Sequence, residues 1–254
     1  MIGGMLKEIK NLLSFLTAIP IRMDKDCLSD SAKCMFLFPL VGALLGLLAG
    51  AFAWATSHFL PGLVVGALAL GVLLLLTGLH HTDGLLDFGD GVMAHGSAER
   101  KIEIMHDQLT GAGGLSLGIM TFLVTAFAIA EFDSGVIIQS LIVVEVSAKL
   151  AMVFATWAGR AVHTGMNSPF MVAMHGKYGN ARLVAALVIS AVIAVPLLWL
   201  AGIITLLAGV IAGLVMVGIA HKHFHGVTGD VLGATNELAR MVSLVVLLAV
   251  MLWV

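Results

Sequence analysis

The chain has 254 residues, 60% of them hydrophobic and 11% charged, with a net charge of −2 and a mean hydropathy of +1.07. Soluble domains carry about 25% charged residues, so these values exclude a soluble domain and point to an integral membrane protein. No basic patch accompanies the charge balance, which excludes nucleic acid as a partner.

Residues 5–19, MLKEIKNLLSFLTAI, have the pattern of an interfacial or re-entrant amphipathic helix ending before Pro20. Met1–Pro20 carries lysines and lacks a small-residue cleavage site after an apolar core, so no cleavable signal peptide is expected. Cys27 and Cys34 are the only cysteines, and their spacing fits no zinc pattern. They read as two inert thiols.

Apolar runs near 20 residues mark spanning helices. About seven are predicted: 35–59, 61–79, 113–132, 135–158, 183–201, 203–220 and 238–254. Pro196 should kink the fifth. Gly42, Gly46 and Gly50 in the first span, and Gly209 and Gly213 in the sixth, form small-residue faces for close helix packing. The expected fold is an all-α polytopic bundle, with 1–254 forming a single membrane-embedded domain.

Every basic residue except Lys149 falls before span one, between spans two and three, between four and five, or around the six-to-seven loop. These are Lys7, Lys10, Arg22, Lys25, Lys33, Arg100, Lys101, Arg160, Lys177, Arg182, Lys222 and Arg240. The positive-inside rule makes that side cytoplasmic. The opposite connections, around Pro61, Gly135 and Gly202, are very short. Chemistry is therefore expected on the cytoplasmic face of the cell membrane, with the C-terminus outside.

Three polar islands stand on that side. The first, TGLHHTDGLLDFGDG (77–91), places Asp83, Asp87 and Asp90 at i, i+4 and i+7, on one face of a helix. Carboxylates about 6 Å apart repel by roughly 3 kcal/mol per pair at an effective dielectric of roughly 20. A chain this poor in charge is expected to offset that with a cation. Hard oxygen ligands suit Mg²⁺, which is usually held by one or two carboxylates plus substrate phosphates. Gly84, Gly89 and Gly91 would let a ligand approach the backbone. His81, two residues before Asp83, is a candidate acid or base.

The second island, MHDQLTGAGG, offers Asp107 and a glycine-rich turn at Gly111, Gly113 and Gly114 that opens a helix and can present N–H groups to phosphate. The third, HFHGVTGDVLGATNEL, holds Asp230 and Glu237 seven apart on one helical face. Thr228 can cap that helix, and Gly226, Gly229 and Gly233 open space around it. Glu145 and Lys149 lie inside span four at i, i+4, where either charge alone would cost roughly 2.5–3.5 kcal/mol. They are expected to pair with each other, or Lys149 to face the polar site. His221, His223 and His225 alternate, which is not helical ligand spacing, and His163 is one of several further histidines. No nucleophile elbow appears, so acyl hydrolysis has no support.

Together the motifs SFLTAIP (14–20), FPLVGALLG (38–46), HTDGLLDFGDG (81–91), MHDQLTGAGG (105–114) and TGDVLGATNEL (228–238) resemble the cobalamin synthase, or adenosylcobinamide-GDP ribazoletransferase, family. Their order and spacing match across almost the whole chain, with 159–182 matching poorly. Gln108 and Leu109 stand where the family commonly has Ser and a basic residue, which argues against a cationic phosphate contact at Leu109. Lys149 stands where relatives often carry Arg.

The resemblance implies a transferase of cobalamin biosynthesis. A hydroxyl of α-ribazole, or of its 5′-phosphate, attacks the phosphorus of adenosylcobinamide-GDP nearer the corrinoid, and GMP leaves. It implies Mg²⁺ with Asp83, Asp87, Asp90 and Asp230 as ligands. Asp83, Asp87, Glu237 and His81 would be catalytic, and Asp107, Lys149, Gly111, Thr228 and Gly229 would bind substrate. The partners are the two substrates and the lipid bilayer, and a homo-oligomer is compatible with the chain. Two other readings share some features. One is a CDP-alcohol-type membrane phosphotransferase, which also uses aspartates with Mg²⁺ but in a different motif. The other is an ion or corrinoid transporter, which would need more acids inside its spans.

Overall fold

A computed structural model describes residues 2–19, 27–162 and 167–253. Pro20, Arg22, Lys25 and His163 lie outside them. The described residues form helices α1 (Ile2–Leu16), α2 (Cys27–Lys33), α3 (Phe38–Ser57), α4 (Gly62–Leu76), α5 (His80–Met93), α6 (Ala98–Met105), α7 (Ala112–Ala130), α8 (Ile137–Ala158), α9 (Ser168–His175), α10 (Gly179–Phe224) and α11 (Gly229–Met251). They contain no strand beyond one isolated bridge between Ala161 and Val227.

The all-α membrane bundle is borne out, with different span boundaries. Five stretches are long and apolar enough to cross a membrane: Met35–Ser57, Ala112–Ala130, Ile137–Ala158, Gly179–Phe224 and Gly229–Met251. The predicted second span is not one straight helix. The chain turns after α4 through Gly78 and Leu79, both left-handed at φ 64° and 62°. α4 and α5 are long enough only if joined, and they are bent by 97°. The bend sets α5 against the first turns of α7 and α11. A left-handed leucine costs about 1–2 kcal/mol, so the surrounding packing must hold that turn.

The fifth and sixth predicted spans are the two arms of α10. A straight 46-residue helix would be about 69 Å long, over twice the bilayer core of about 30 Å. The backbone breaks at Trp199 (φ 47°, ψ −124°), three residues beyond Pro196. The chain then folds back so closely that a Cβ on Gly202 would strike the Ala194 carbonyl. The last span starts at Gly229 instead of residue 238, so the third island lies inside it.

The central helix is α8, with 78% of its apolar window buried. Its neighbours approach it through glycine. Gly42, Gly46 and Gly50 of α3 press on the backbone of Glu145, Leu141 and Ile138, and Gly209 and Gly213 of α10 press on Ser147 and Ala151. Ser147 adds hydrogen bonds to the Thr205 carbonyl at 2.8 Å and to Ser243 at 2.9 Å. The small-residue faces thus pack as expected, and α8 is their common target.

Candidate functional site

The three islands meet at α5. Asp83, Asp87 and Asp90 all lie on this helix, in the row their spacing predicts. A Cβ on Gly84 would be 2.9 Å from the Asp230 carbonyl oxygen and 3.0 Å from its Cα. The missing side chain therefore brings the first turn of α11, with Asp230, directly against α5. Gly233 continues the crossing, with its Cβ position 3.3 Å from the His81 Cα. Thr228 caps α11 by accepting from Val231 N at 3.3 Å, and its hydroxyl donates to Asp230 Oδ2 at 3.4 Å.

The second island arrives through Asp90. Its carboxylate accepts from Gly111 N at 2.7 Å and Gly114 N at 2.8 Å, taking both bonds from the opening turn of α7. An acidic side chain there satisfies otherwise unpaired N–H groups and favours the positive end of the helix dipole. The glycines serve helix crossing, not the ligand approach expected of them. A Cβ on Gly89 would be 2.8 Å from the Gly114 Cα, and one on Gly91 would enter the Met105 side chain and the Phe224 ring. Gly229 alone of the glycines in the third island has open space around it, while Gly226 abuts the Arg160 carbonyl.

The acids crowd one another. Partial burial, then the charges of Asp83, Asp230 and Asp90, push the Asp87 carboxyl up to about 7. Asp107 is not one of these neighbours. It lies in the exposed turn before α7, where Oδ1 accepts from Leu109 N at 3.2 Å. Among the described residues no three His, Cys, Asp or Glu side chains form a ready-made metal cage. That donor set still fits Mg²⁺, which commonly takes one or two carboxylates and completes its shell with water and substrate phosphates. The mutual repulsion at Asp87 is the structural sign that a cation would be favoured there.

Behind this row lies a buried charge network that the sequence only partly reveals. Arg240 is fully buried in α11, although its position suggested a loop-flanking cation. Its Nε and one terminal nitrogen grip both oxygens of Glu145, and its other terminal nitrogen donates to Glu237. Asn236 Nδ2 donates to Glu237 at 3.0 Å, and Lys149 Nζ donates to Asn236 Oδ1. Glu145 thus pairs with Arg240 and not with Lys149. Lys149 and Glu237, at 0% and 1% exposure, are sealed inside the bundle. His81 is buried beside them within reach of the Lys149 and Arg240 charges, and its Nδ1 has no hydrogen-bond partner among the described residues. The signal available in sequence was the i, i+3 spacing of Glu237 and Arg240.

A model of the cobalamin-5-phosphate synthase family matches residues 8–248. Similar proteins include the adenosylcobinamide-GDP ribazoletransferase of Methanococcoides burtonii, 32% identical over 96% of this chain and 93% of the relative. That of Methanocella arvoryzae is 33% identical over 100% of this chain and 99% of the relative. That of Thermococcus kodakarensis is 34% identical over 94% and 97%. No solved structure matches. The matched stretch holds all three islands, the crossing glycines that join them and the buried ion network behind them, and on this ground the chain belongs to the cobalamin-5-phosphate synthase family.

Proposed function

We propose that this chain is an adenosylcobinamide-GDP ribazoletransferase that completes the nucleotide loop of cobalamin on the cytoplasmic face of the membrane. One observation carries the reading: three polar islands far apart in sequence meet at one end of a membrane bundle, where the first and third crowd their carboxylates together and Asp90 holds the glycine turn of the second beside them. Family membership supplies the substrates. The distribution of basic residues supports the cytoplasmic orientation.

In the reaction, a ribazole hydroxyl oxygen forms a bond to the phosphorus nearer the corrinoid. The bond from that phosphorus to the bridging oxygen breaks, GMP leaves, and the hydroxyl proton passes to a carboxylate. Asp83, Asp87 and Asp230 would hold Mg²⁺ together with the diphosphate. When bound, the ion neutralises charge on the diphosphate and on departing GMP. Asp87, with its raised proton affinity, suits the proton-accepting role when not engaged as a ligand. Asp90 fixes the glycine turn of α7 beside the row. Glu237 and Lys149 act from behind, holding α11 and hence Asp230 in place.

The test is GMP release by detergent-purified protein given adenosylcobinamide-GDP and α-ribazole phosphate, across a Mg²⁺ titration. Turnover that rises with Mg²⁺ is expected. No GMP release with either form of ribazole, from folded protein, would sink the assignment.

A further inference from the structure

A groove of about 520 Å³ lies between α1, α3 and α10. All of its lining residues are apolar, among them Ile9 and Leu13 of α1, Leu40, Leu44 and Leu47 of α3 and Leu197 of α10. Leu40, Leu44 and Leu47 are also exposed on the outer face of a spanning helix. The groove therefore opens towards hydrocarbon and not towards water. Along α3 its lining runs from Leu37 to Leu47. At 1.5 Å per residue that is about 15 Å, half of a bilayer core of about 30 Å. The groove has the depth of one leaflet.

Its outer end lies where α1 meets the membrane surface. Ala18 N, just past α1, donates to the carbonyl of Leu76, the last residue of α4, at 2.7 Å. A Cβ on Gly78, in the turn that leads to the aspartate helix, would be 3.4 Å from the Ala18 methyl. The end of α1 and the start of the aspartate helix thus share one end of the bundle. The charged residues of α1 have different partners. Lys7 turns to Asp30 of α2 at 3.7 Å, and the Cys34 thiol donates to Glu8 at 3.5 Å. Lys10 makes no ion pair or hydrogen bond among the described residues. It follows Ile9 and stands three residues before Leu13, which makes it a helix-surface neighbour of the groove lining.

We infer that this groove holds one hydrocarbon chain of an anionic phospholipid from the leaflet on the aspartate side, with the lipid phosphate against Lys10. The inference is independent of the reaction proposed above. A chain that enters the groove exchanges lipid neighbours for leucine, with little hydrophobic gain. Selectivity must therefore come from the headgroup. A lysine on the polar side of an interfacial helix attracts anionic lipid. The choline of phosphatidylcholine carries a positive charge that Lys10 repels. A helix from a second copy fits less well, because the groove ends at half the depth that a spanning helix needs.

The experiment is native mass spectrometry of detergent-purified protein titrated with phosphatidylglycerol or with phosphatidylcholine carrying the same chains. The parent should retain one phosphatidylglycerol per chain. It should bind that lipid about fivefold more tightly than phosphatidylcholine, the worth of one lysine near an anionic headgroup. Lys10→Gln should bring the two affinities together. Leu44→Trp should fill the groove and remove the retained lipid. Leu123→Trp, at an exposed position of α7 that does not line the groove, should leave it bound. Lys10 and Leu44 lie outside the buried core, so neither change removes a core contact. No retained lipid in the parent, equal retention in Leu44→Trp, or an unchanged headgroup preference in Lys10→Gln would overturn the site. A parent dimer that Leu44→Trp splits without loss of lipid would assign the groove to a second copy instead.

Discussion

Arg240 and Glu145, 95 residues apart in sequence, form a two-pronged ion pair with both side chains at 0% exposure. It ties α11 to the central helix α8. Glu237 and Asn236 extend it to Lys149, so two acids and two cations balance at the heart of the bundle. Removing one partner from such a set leaves an uncompensated buried charge, at a cost of about 3–5 kcal/mol. Arg240→Met should therefore unfold at a clearly lower temperature than the parent protein in detergent. Adding Glu145→Gln in the same chain should recover much of the loss, because Glu237 then remains to balance Lys149 and no charge is left orphaned. Equal unfolding temperatures for Arg240→Met and the parent would show that the pair carries no stability.

The polar row on α5 and the small-residue faces of α3 and α10 are legible in the sequence because both depend on local periodicity. Asp83, Asp87 and Asp90 needed only helical spacing, and Gly42, Gly46 and Gly50 needed only a four-residue repeat. The helical start of α11 is legible in the Thr228 cap and in the spacing of Asp230 and Glu237. Its place inside the last span is not, because Asp230, Glu237 and Arg240 break the apolar pattern and the carboxylate that grips Arg240 with two bonds lies on α8. A charge balanced across 95 residues leaves no local trace. The turn of α10 is legible to within a few residues: a short connection is expected around Gly202, and the backbone breaks at Trp199, three residues earlier. The exact residue is not legible, because Trp199 takes a positive φ without being a glycine, while Gly202 serves packing between the arms.

Gly84 tests how α11 is seated on α5. An added Cβ would meet Asp230 backbone atoms at 2.9–3.0 Å, and backbone cannot swing aside as a side chain can. Gly84→Ala should destabilise the protein by about 1–3 kcal/mol, the usual range for overpacking. It should also lower turnover by moving Asp230 away from Asp87. Thermal unfolding and GMP release on the same preparation check both effects. Full activity at unchanged stability would show that the crossing yields without consequence.

The orientation of the aspartate end can be read by single-cysteine labelling. Cys27 and Cys34 are buried and form no disulfide, and can be replaced to give a clean background. His95, Leu109 and Gly229 are exposed at the end where the three islands gather. Cysteines at these three positions should react with an impermeant reagent only when the cytoplasmic face is accessible. Labelling of Gly229→Cys from the opposite side to His95→Cys would separate the first and third islands and dismantle the site.

The sharpest prediction concerns Asp87, the middle acid of the row. It is flanked by Asp83 and Asp90 on its own helix and faced by Asp230 from α11, and these charges with partial burial raise its carboxyl to about 7. Asparagine keeps its shape and removes its charge. Without added divalent ions, Asp87→Asn should unfold at the same temperature as the parent or higher, because one crowded carboxylate is gone. Turnover should nevertheless fall by a factor of about a thousand or more, since losing a charged ligand or base costs several kcal/mol of transition-state stabilisation. The two readouts separate a functional role from a structural one. A stable variant that releases GMP at the parent rate across the Mg²⁺ titration would show that Asp87 holds neither metal nor proton. The metal reading of the whole row would then have to be abandoned.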